Sequence, residues 1–206
     1  MNGEKSSLRK KLLIKRKKLF SKKLTFNFGK IVNLIKKNFK VKKISVAGYY
    51  PINFEVNVLG FLTKLQRKGV TTGLPVIKRN YGMMFKKWTP NQSLYLNKYG
   101  IPEPKNTNKT FIPDIILVPL VAYDQRLNRL GYGAGYYDRV LKKISLHKKI
   151  IAIGIGFSFQ ECANIPINKN DYALDYILNE KKIIEKEKKK KKAKKKKKKK
   201  WIKLKV

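Results

Sequence analysis

The sequence predicts a single-domain, three-layer α/β/α sandwich built on a mainly parallel sheet. Three observations carry this expectation. The runs "DIILVPL" and "KIIAIGIG" are almost continuously apolar, as strands covered on both faces must be. Segments with helical spacing separate the strand-like runs, the order that crossover connections produce. No repeat and no linker interrupts residues 1–180, a length that supports one well-formed core.

Taken in order, residues 5–20 place Leu8, Leu12, Lys15 and Leu19 on one helical face, with Ser6 or Ser7 as N-cap. A second helix is expected over 21–38, turning Phe28, Ile31, Leu34 and Ile35 inward. "KISVAGYYP" reads as a buried strand ending in a turn, and "EVNVLGFLTKLQRKG" as a helix closed by Gly69. "VTTGLPVI" and "GMMFKKW" read as strands, the second at an edge. "GIPEPKNTNKTFIPD" is a proline-rich connection before the strand "DIILVPL". A helix over "GYYDRVLKKISLH" and a strand over "KIIAIGIG" follow, and "YALDYILN" is the expected last strand.

The formal charge is +39. From Lys181 onward, 17 lysines against Glu185 and Glu187 supply +15 of it, which leaves +24 on the body. Residues 181–206 therefore read as a low-complexity, self-repelling and disordered tail following a domain over 1–180. The body's charge reads chiefly as a solvated surface, with a basic field suited to anionic ligands as the second reading. Nucleic acid is a possible partner only through the tail. No apolar run is long enough for a membrane span. The N-terminus has no apolar core of a secretory signal, and the lone Cys162 excludes an internal disulfide. A cytoplasmic monomer is the expectation.

The segment "RLGYGAGYYDR" sets glycines at 131, 133 and 135 between Arg129 and Arg139 and then opens a helix. Backbone amides freed of side chains, at a helix N-terminus, suit a phosphate. The two arginines could add charge-assisted forks, and Asp138 could hold Mg²⁺ beside that phosphate. The spacing matches neither the dinucleotide fingerprint nor the ordinary P-loop. Turn glycines under tight helix–sheet packing would leave the same pattern.

The stretch "PDIILVPLVAYDQRLNRLGYGAGYYDRVL" resembles the signature of the 5-formyltetrahydrofolate cyclo-ligase family, also called methenyltetrahydrofolate synthetase. "SLRKKL", "VAGYYPINFEVN", "GLPVI", "MMFKKW", "GIPEP" and "IPINKNDYALDYIL" fall in the family's order, so the likeness covers about residues 5–179. It implies ATP- and Mg²⁺-dependent cyclisation of 5-formyltetrahydrofolate to 5,10-methenyltetrahydrofolate, with release of ADP and phosphate. By the same resemblance, Lys5 and Arg9 reach the nucleotide from the first helix. Arg129, Leu130, Gly131, Tyr132, Gly133, Ala134, Gly135, Tyr136 and Tyr137 wrap its phosphates, with Arg129 and Tyr132 catalytic. Residues 132–136 also border the folate, joined by Tyr50 and Glu55. Asp138 and Asp171 hold Mg²⁺.

Two positions depart from the family pattern. Ala134 stands where glycine or lysine is common, and Leu127 replaces a usual glycine, so the turn before the motif is expected to follow a different backbone path. The lysine tail has no counterpart, and a basic nucleic-acid-associated protein is the alternative function.

Read without the resemblance, the same residues carry plainer meanings. Glu55 could start a helix and Asp171 could serve a turn. Lys5 and Arg9 could be solvated, and one of Tyr136 and Tyr137 could pack in the core with its hydroxyl satisfied. His147 reads as a surface residue and Cys162 as a small buried one.

Overall fold

The computed structural model describes residues 2–21, 24–38 and 44–186. Helix α1 (Asn2–Leu19), helix α2 (Gly29–Asn38), strand β1 (Ser45–Ala47) and helix α3 (Leu59–Gln66) come first. The hairpin β2 (Thr71–Ile77) and β3 (Met83–Lys87) is followed by short strands β4 (Leu94–Leu96), β5 (Pro102–Pro104) and β6 (Thr110–Phe111). Strand β7 (Ile115–Pro119) then leads to a ribbon of β8 (Ala122–Tyr123) and β9 (Arg129–Leu130) and to helix α4 (Tyr136–Ser145). Strands β10 (Ile151–Ile155), β11 (Tyr176–Leu178) and β12 (Ile183–Glu185) complete the order.

Eight strands share one sheet, ordered β12-β11-β10-β7-β1-β2-β3-β6. The inner run from β11 to β2 is parallel throughout, and antiparallel pairing appears only toward the two edges. The apolar runs behave as strands covered twice. Ile115 and Leu117 of β7 face one core with Ile31, Ile35, Phe61 and Leu62 of α2 and α3. Ile116 and Val118 face the opposite core with Val140 and Leu141 of α4. This alternation within a continuously apolar strand is what makes the architecture three-layered. The helix α1 docks elsewhere, through Leu12 against Val121, Ala122, Leu130 and Ile165 around the β8–β9 ribbon.

Several boundaries differ from the sequence expectation, each for a local reason. Helix α1 starts at Asn2, so Ser6 and Ser7 lie exposed within it rather than capping it. Its buried residues are Leu12 and Arg16, while Lys15 is exposed and Leu19 is 43% exposed. Helix α2 begins only at Gly29, whose amide donates to Asn27 Oδ1 at 2.8 Å. Phe28 therefore precedes the helix and stacks on Phe61 at 4.7 Å. Helix α3 likewise starts after Asn57, whose Oδ1 accepts the Leu59 amide at 2.9 Å, so Glu55 lies in a loop and does not begin the helix. The buried strand in "KISVAGYYP" is limited to β1, and the proline-rich connection contains β5 and β6. Strand β3 is flanked by β6, and β12 follows "YALDYILN", taking in residues assigned to the tail. The remainder of that tail, 187–206, lies outside the described residues. His147 is exposed, Cys162 is only half-buried, and among the described residues no helix is long and apolar enough to cross a membrane.

Leu127 keeps a glycine-like backbone without glycine. Its φ is +67°, while its side chain is only 1% exposed in the core beneath α4. The left-handed region costs a residue with a side chain about 1–2 kcal/mol, and burying leucine returns about 1.5–3 kcal/mol. Leu127→Ala keeps the backbone cost and loses the packing, a loss of about 2–5 kcal/mol, whereas Leu127→Gly loses the packing but sheds the backbone cost. Chemical denaturation is expected to rank Leu127→Gly at or above Leu127→Ala, with both below the wild-type protein. Leu127→Ala the more stable of the two would show that the turn is unstrained.

Candidate active site

The ribbon β8–β9 delivers the glycine segment to the mouth of a cleft of about 1180 Å³. Gly133 and Gly135 have φ of +111° and +67°, values that side chains disfavour, and Gly135 directly precedes α4. A Cβ on Gly131 would meet nothing within 4 Å, so the backbone there stands open to the cleft. Helix α4 is amphipathic, with Val140 and Leu141 in the core, and this anchors its N-terminus beside the loop. The arrangement offers free-standing amides at a helix start, the geometry that receives anions.

Basic side chains surround this loop. Arg9 Nε donates to the Gly131 carbonyl at 2.7 Å, and its guanidinium lies against Gly133. Lys5 Nζ pairs with Asp171 Oδ2 at 2.5 Å, and that carboxylate also accepts the Asn168 amide at 2.7 Å. Arg129 is mostly buried, donating to Asp138 Oδ1 at 2.7 Å and to the Tyr172 carbonyl at 3.0 Å. Arg139 bends back to the Ala134 carbonyl at 2.6 Å and the Tyr81 carbonyl at 3.2 Å. Two cations named by the sequence thus start from internal pairings: Lys5 on Asp171 and Arg129 on Asp138.

Asp138 and Asp171 come together as the sequence suggests. Asp138 Oδ1 accepts the amide of Tyr172, the residue after Asp171, at 3.0 Å, and both carboxylates line the cleft. Among the described residues no group of three or more His, Cys, Asp or Glu forms a metal cage. Two hard carboxylates beside a loop that suits anions fit Mg²⁺, which takes one or two carboxylates and completes its shell with other oxygens. The protein contacts of these carboxylates run through Asp138 Oδ1, held by Arg129 and the Tyr172 amide, and Asp171 Oδ2, held by Lys5 and the Asn168 amide.

The floor of the cleft is a different environment. Asn53 and Phe54 adopt left-handed φ of 47° and 62°, folding Glu55 back so that its Oε2 accepts the Ile52 amide at 3.0 Å. Glu55 Oε1 is buried and has no hydrogen-bond partner. Burial pushes the Glu55 carboxyl up from 4.5 to about 7, opposed by the Ile52 amide, the Arg16 charge and the Tyr132 hydroxyl. Tyr132 is 37% exposed overall, but burial of its hydroxyl end and then the Glu55 charge raise it to about 12, so it remains a phenol. Tyr49 donates to the Val56 carbonyl at 2.9 Å, and Tyr50 lines the cleft half-buried. Tyr137 is the core-packed member of its pair, but its buried hydroxyl lacks a partner; Tyr136 instead meets the Tyr99 hydroxyl at 3.1 Å on the rim.

With the geometry in place, comparison with known proteins becomes specific. The model of the 5-formyltetrahydrofolate cyclo-ligase family matches residues 1–180. The chain belongs to that family. The 5-formyltetrahydrofolate cyclo-ligase of Mycoplasma genitalium is 32% identical over 181 residues, covering 85% of this chain and 97% of its own. That of Haemophilus influenzae is 31% identical over 140 residues, 65% of this chain and 74% of its own. The solved 5,10-methenyltetrahydrofolate synthetase of Aquifex aeolicus superposes with a TM-score of 0.72 at 30% identity, covering 89% of this chain and 93% of its own. The Mycoplasma pneumoniae 5,10-methenyltetrahydrofolate synthetase gives 0.65 at 28% identity, over 85% and 98%.

In this cyclo-ligase family member, sequence reasoning overlooked Arg16, which is 1% exposed and reaches the Tyr132 hydroxyl. The signal was present: Lys5, Arg9, Leu12 and Arg16 recur every three or four positions and form one face. Also overlooked were Asn97 and Glu103 on the wall, where Glu103 Oε2 accepts from Asn97 Nδ2 and from the Ile77 amide.

The raised Glu55 carboxyl has a sign that can be checked. The folded protein holds a proton there that the unfolded chain releases, so stability falls as pH rises from 4.5 through about 7. Glu55→Gln has no such charge to bury. It is expected to melt above wild type at about pH 8, with the two curves converging near about pH 4; equal melting temperatures at both values would show that Glu55 is not desolvated.

Proposed function

We propose that the protein is a ligase that uses Mg²⁺ and ATP to cyclise 5-formyltetrahydrofolate to 5,10-methenyltetrahydrofolate. The observation that supports this reading is the meeting, in one cleft of a cyclo-ligase family member, of the open glycine loop with its basic side chains and the buried Glu55 floor. The first end suits a triphosphate and the second a nitrogen-rich heterocycle.

A formyl amide carbon is a poor electrophile. In the proposed reaction the formyl oxygen attacks the γ-phosphorus of ATP, an O–P bond forms, and the bond to the bridging oxygen breaks to release ADP. Folate N10 then attacks the activated carbon and loses its proton. The C–O bond breaks, so phosphate leaves carrying the former formyl oxygen. This chemistry asks the protein for placement and charge stabilisation and needs no nucleophilic side chain.

The chain's residues divide those tasks. Main-chain amides around Gly133 and at the start of α4 receive phosphate charge, with Lys5 and Arg9 beside them. Arg129 holds the Asp138 carboxylate in place. Glu55 accepts hydrogen bonds from ring nitrogens of the folate, and Tyr132, between the two ends, borders both substrates. Asp138 and Asp171 would hold Mg²⁺ together with phosphate oxygens, where it would neutralise charge on the transferring group.

Absorbance of the methenyl product is expected to grow only with ATP and Mg²⁺ together. A heavy-oxygen label in the formyl group is expected in the released phosphate, and its retention elsewhere would exclude the phosphorylated route. Arg129→Ala and Asp138→Ala are each expected to lower kcat/KM by about a hundredfold or more. Wild-type protein that forms no methenyl product would overturn the assignment.

A further inference from the structure

Building on the cyclo-ligase reading, we infer that Arg16 is a positioning residue for the folate half of the cleft, acting through the Tyr132 hydroxyl. Arg16 sits on α1, one face with Lys5 and Arg9, yet is almost fully buried. Its Nη1 donates to the Leu120 carbonyl at 3.1 Å and its Nη2 to the Tyr132 hydroxyl. The guanidinium also lies 5.6 Å from the centre of the Tyr132 ring. A phenol oxygen that accepts from a guanidinium must turn its own proton away from it, so Arg16 sets the direction in which Tyr132 donates.

The surroundings separate this role from simple packing. An apolar side chain would fill the same volume without the cost of burying a charge. Folded proteins leave few buried polar atoms unpaired. Among the described residues, four such side-chain atoms lack a partner, and Arg16 Nε, Glu55 Oε1 and the Tyr137 hydroxyl are three of them. Glu55, Tyr132 and Tyr137 all line the cleft. Glu55 and Tyr137 thus bring unpaired polar atoms to the cleft lining, to be met by a ligand bearing its own donors and acceptors, as a folate head does. Glu55 is faced by the guanidinium from α1, by the phenols of Tyr49, Tyr132 and Tyr137, and by the Ile52 amide.

A double-mutant cycle tests the inference, using the dissociation constant for 5-formyltetrahydrofolate and the kinetics of methenyl formation on full-length protein. Arg16→Gln is expected to raise KM and Kd for 5-formyltetrahydrofolate by about tenfold or more, with KM for ATP changed by less than about threefold because Lys5 and Arg9 remain. The acid limb of kcat/KM for the folate is expected to move to higher pH in Arg16→Gln and to stay nearer wild type in Arg16→Lys. If Arg16 acts through Tyr132, Arg16→Lys combined with Tyr132→Phe loses no more than the worse single variant. Additive losses, an equal rise of both KM values, or an unmoved acid limb in folded Arg16→Gln would each overturn the inference. Should Arg16→Gln fail to fold, the cycle with Arg16→Lys decides. Wild type that does not bind 5-formyltetrahydrofolate overturns the functional reading and this inference together, whereas an additive cycle in active enzyme overturns this inference alone.

Discussion

The placement of the glycine loop depends on one buried carboxylate. Asp124 has no solvent exposure, and a polar group so placed is tolerated only when its oxygens are hydrogen-bonded. Its Oδ1 accepts the amides of Arg126 at 2.9 Å and Asn128 at 3.0 Å. Its Oδ2 accepts Asn128 Nδ2 at 2.9 Å and the Ile165 amide at 3.1 Å. These four bonds close the turn between β8 and β9 and tie it to the segment after β10. Arg129 and the glycine loop leave directly from that turn, so their positions are inherited from it. The same turn carries the left-handed Leu127, whose carbonyl accepts the Leu174 amide at 3.1 Å.

The second organising element is helix α1, which behaves as a basic strut rather than an ordinary amphipathic helix. Its inner face carries Lys5, Arg9 and Arg16 among the leucines, and each of these cations is held by a group of the cleft. Through them, one helix touches both the glycine loop at Gly131 and the Tyr132 hydroxyl. A helix of this kind has little hydrophobic patterning, because the face turned inward is itself charged.

The layers of the fold were legible because β7 and β10 are apolar on both faces and α4 has a clean apolar stripe. The glycine segment was legible because two of its glycines adopt backbone angles that few other residues tolerate. What could not be read was set by tertiary contact. Lys15 and Leu19 were expected inward on spacing alone, but the ribbon β8–β9 selects the face of Leu12 and Arg16 instead. Asn27 and Asn57 reset two helix starts with single side-chain hydrogen bonds, a local competition that periodicity does not register. Strand β12 escaped notice because three residues beside a lysine run carry almost no pattern. Leu127 was expected to redirect the chain, yet its burial keeps the backbone angle that glycine would have adopted.

The two ends of the sheet have a consequence for how these molecules behave in a crowd. Exposed strand edges are templates for joining one chain to another, and proteins that avoid this keep edges short and flank them with lysine. Here β6 has two residues and follows Lys109, while β12 has three and lies between Lys182 and Lys186. At both described edges neighbouring copies would meet brief, lysine-flanked borders, which disfavours growth of the sheet from molecule to molecule.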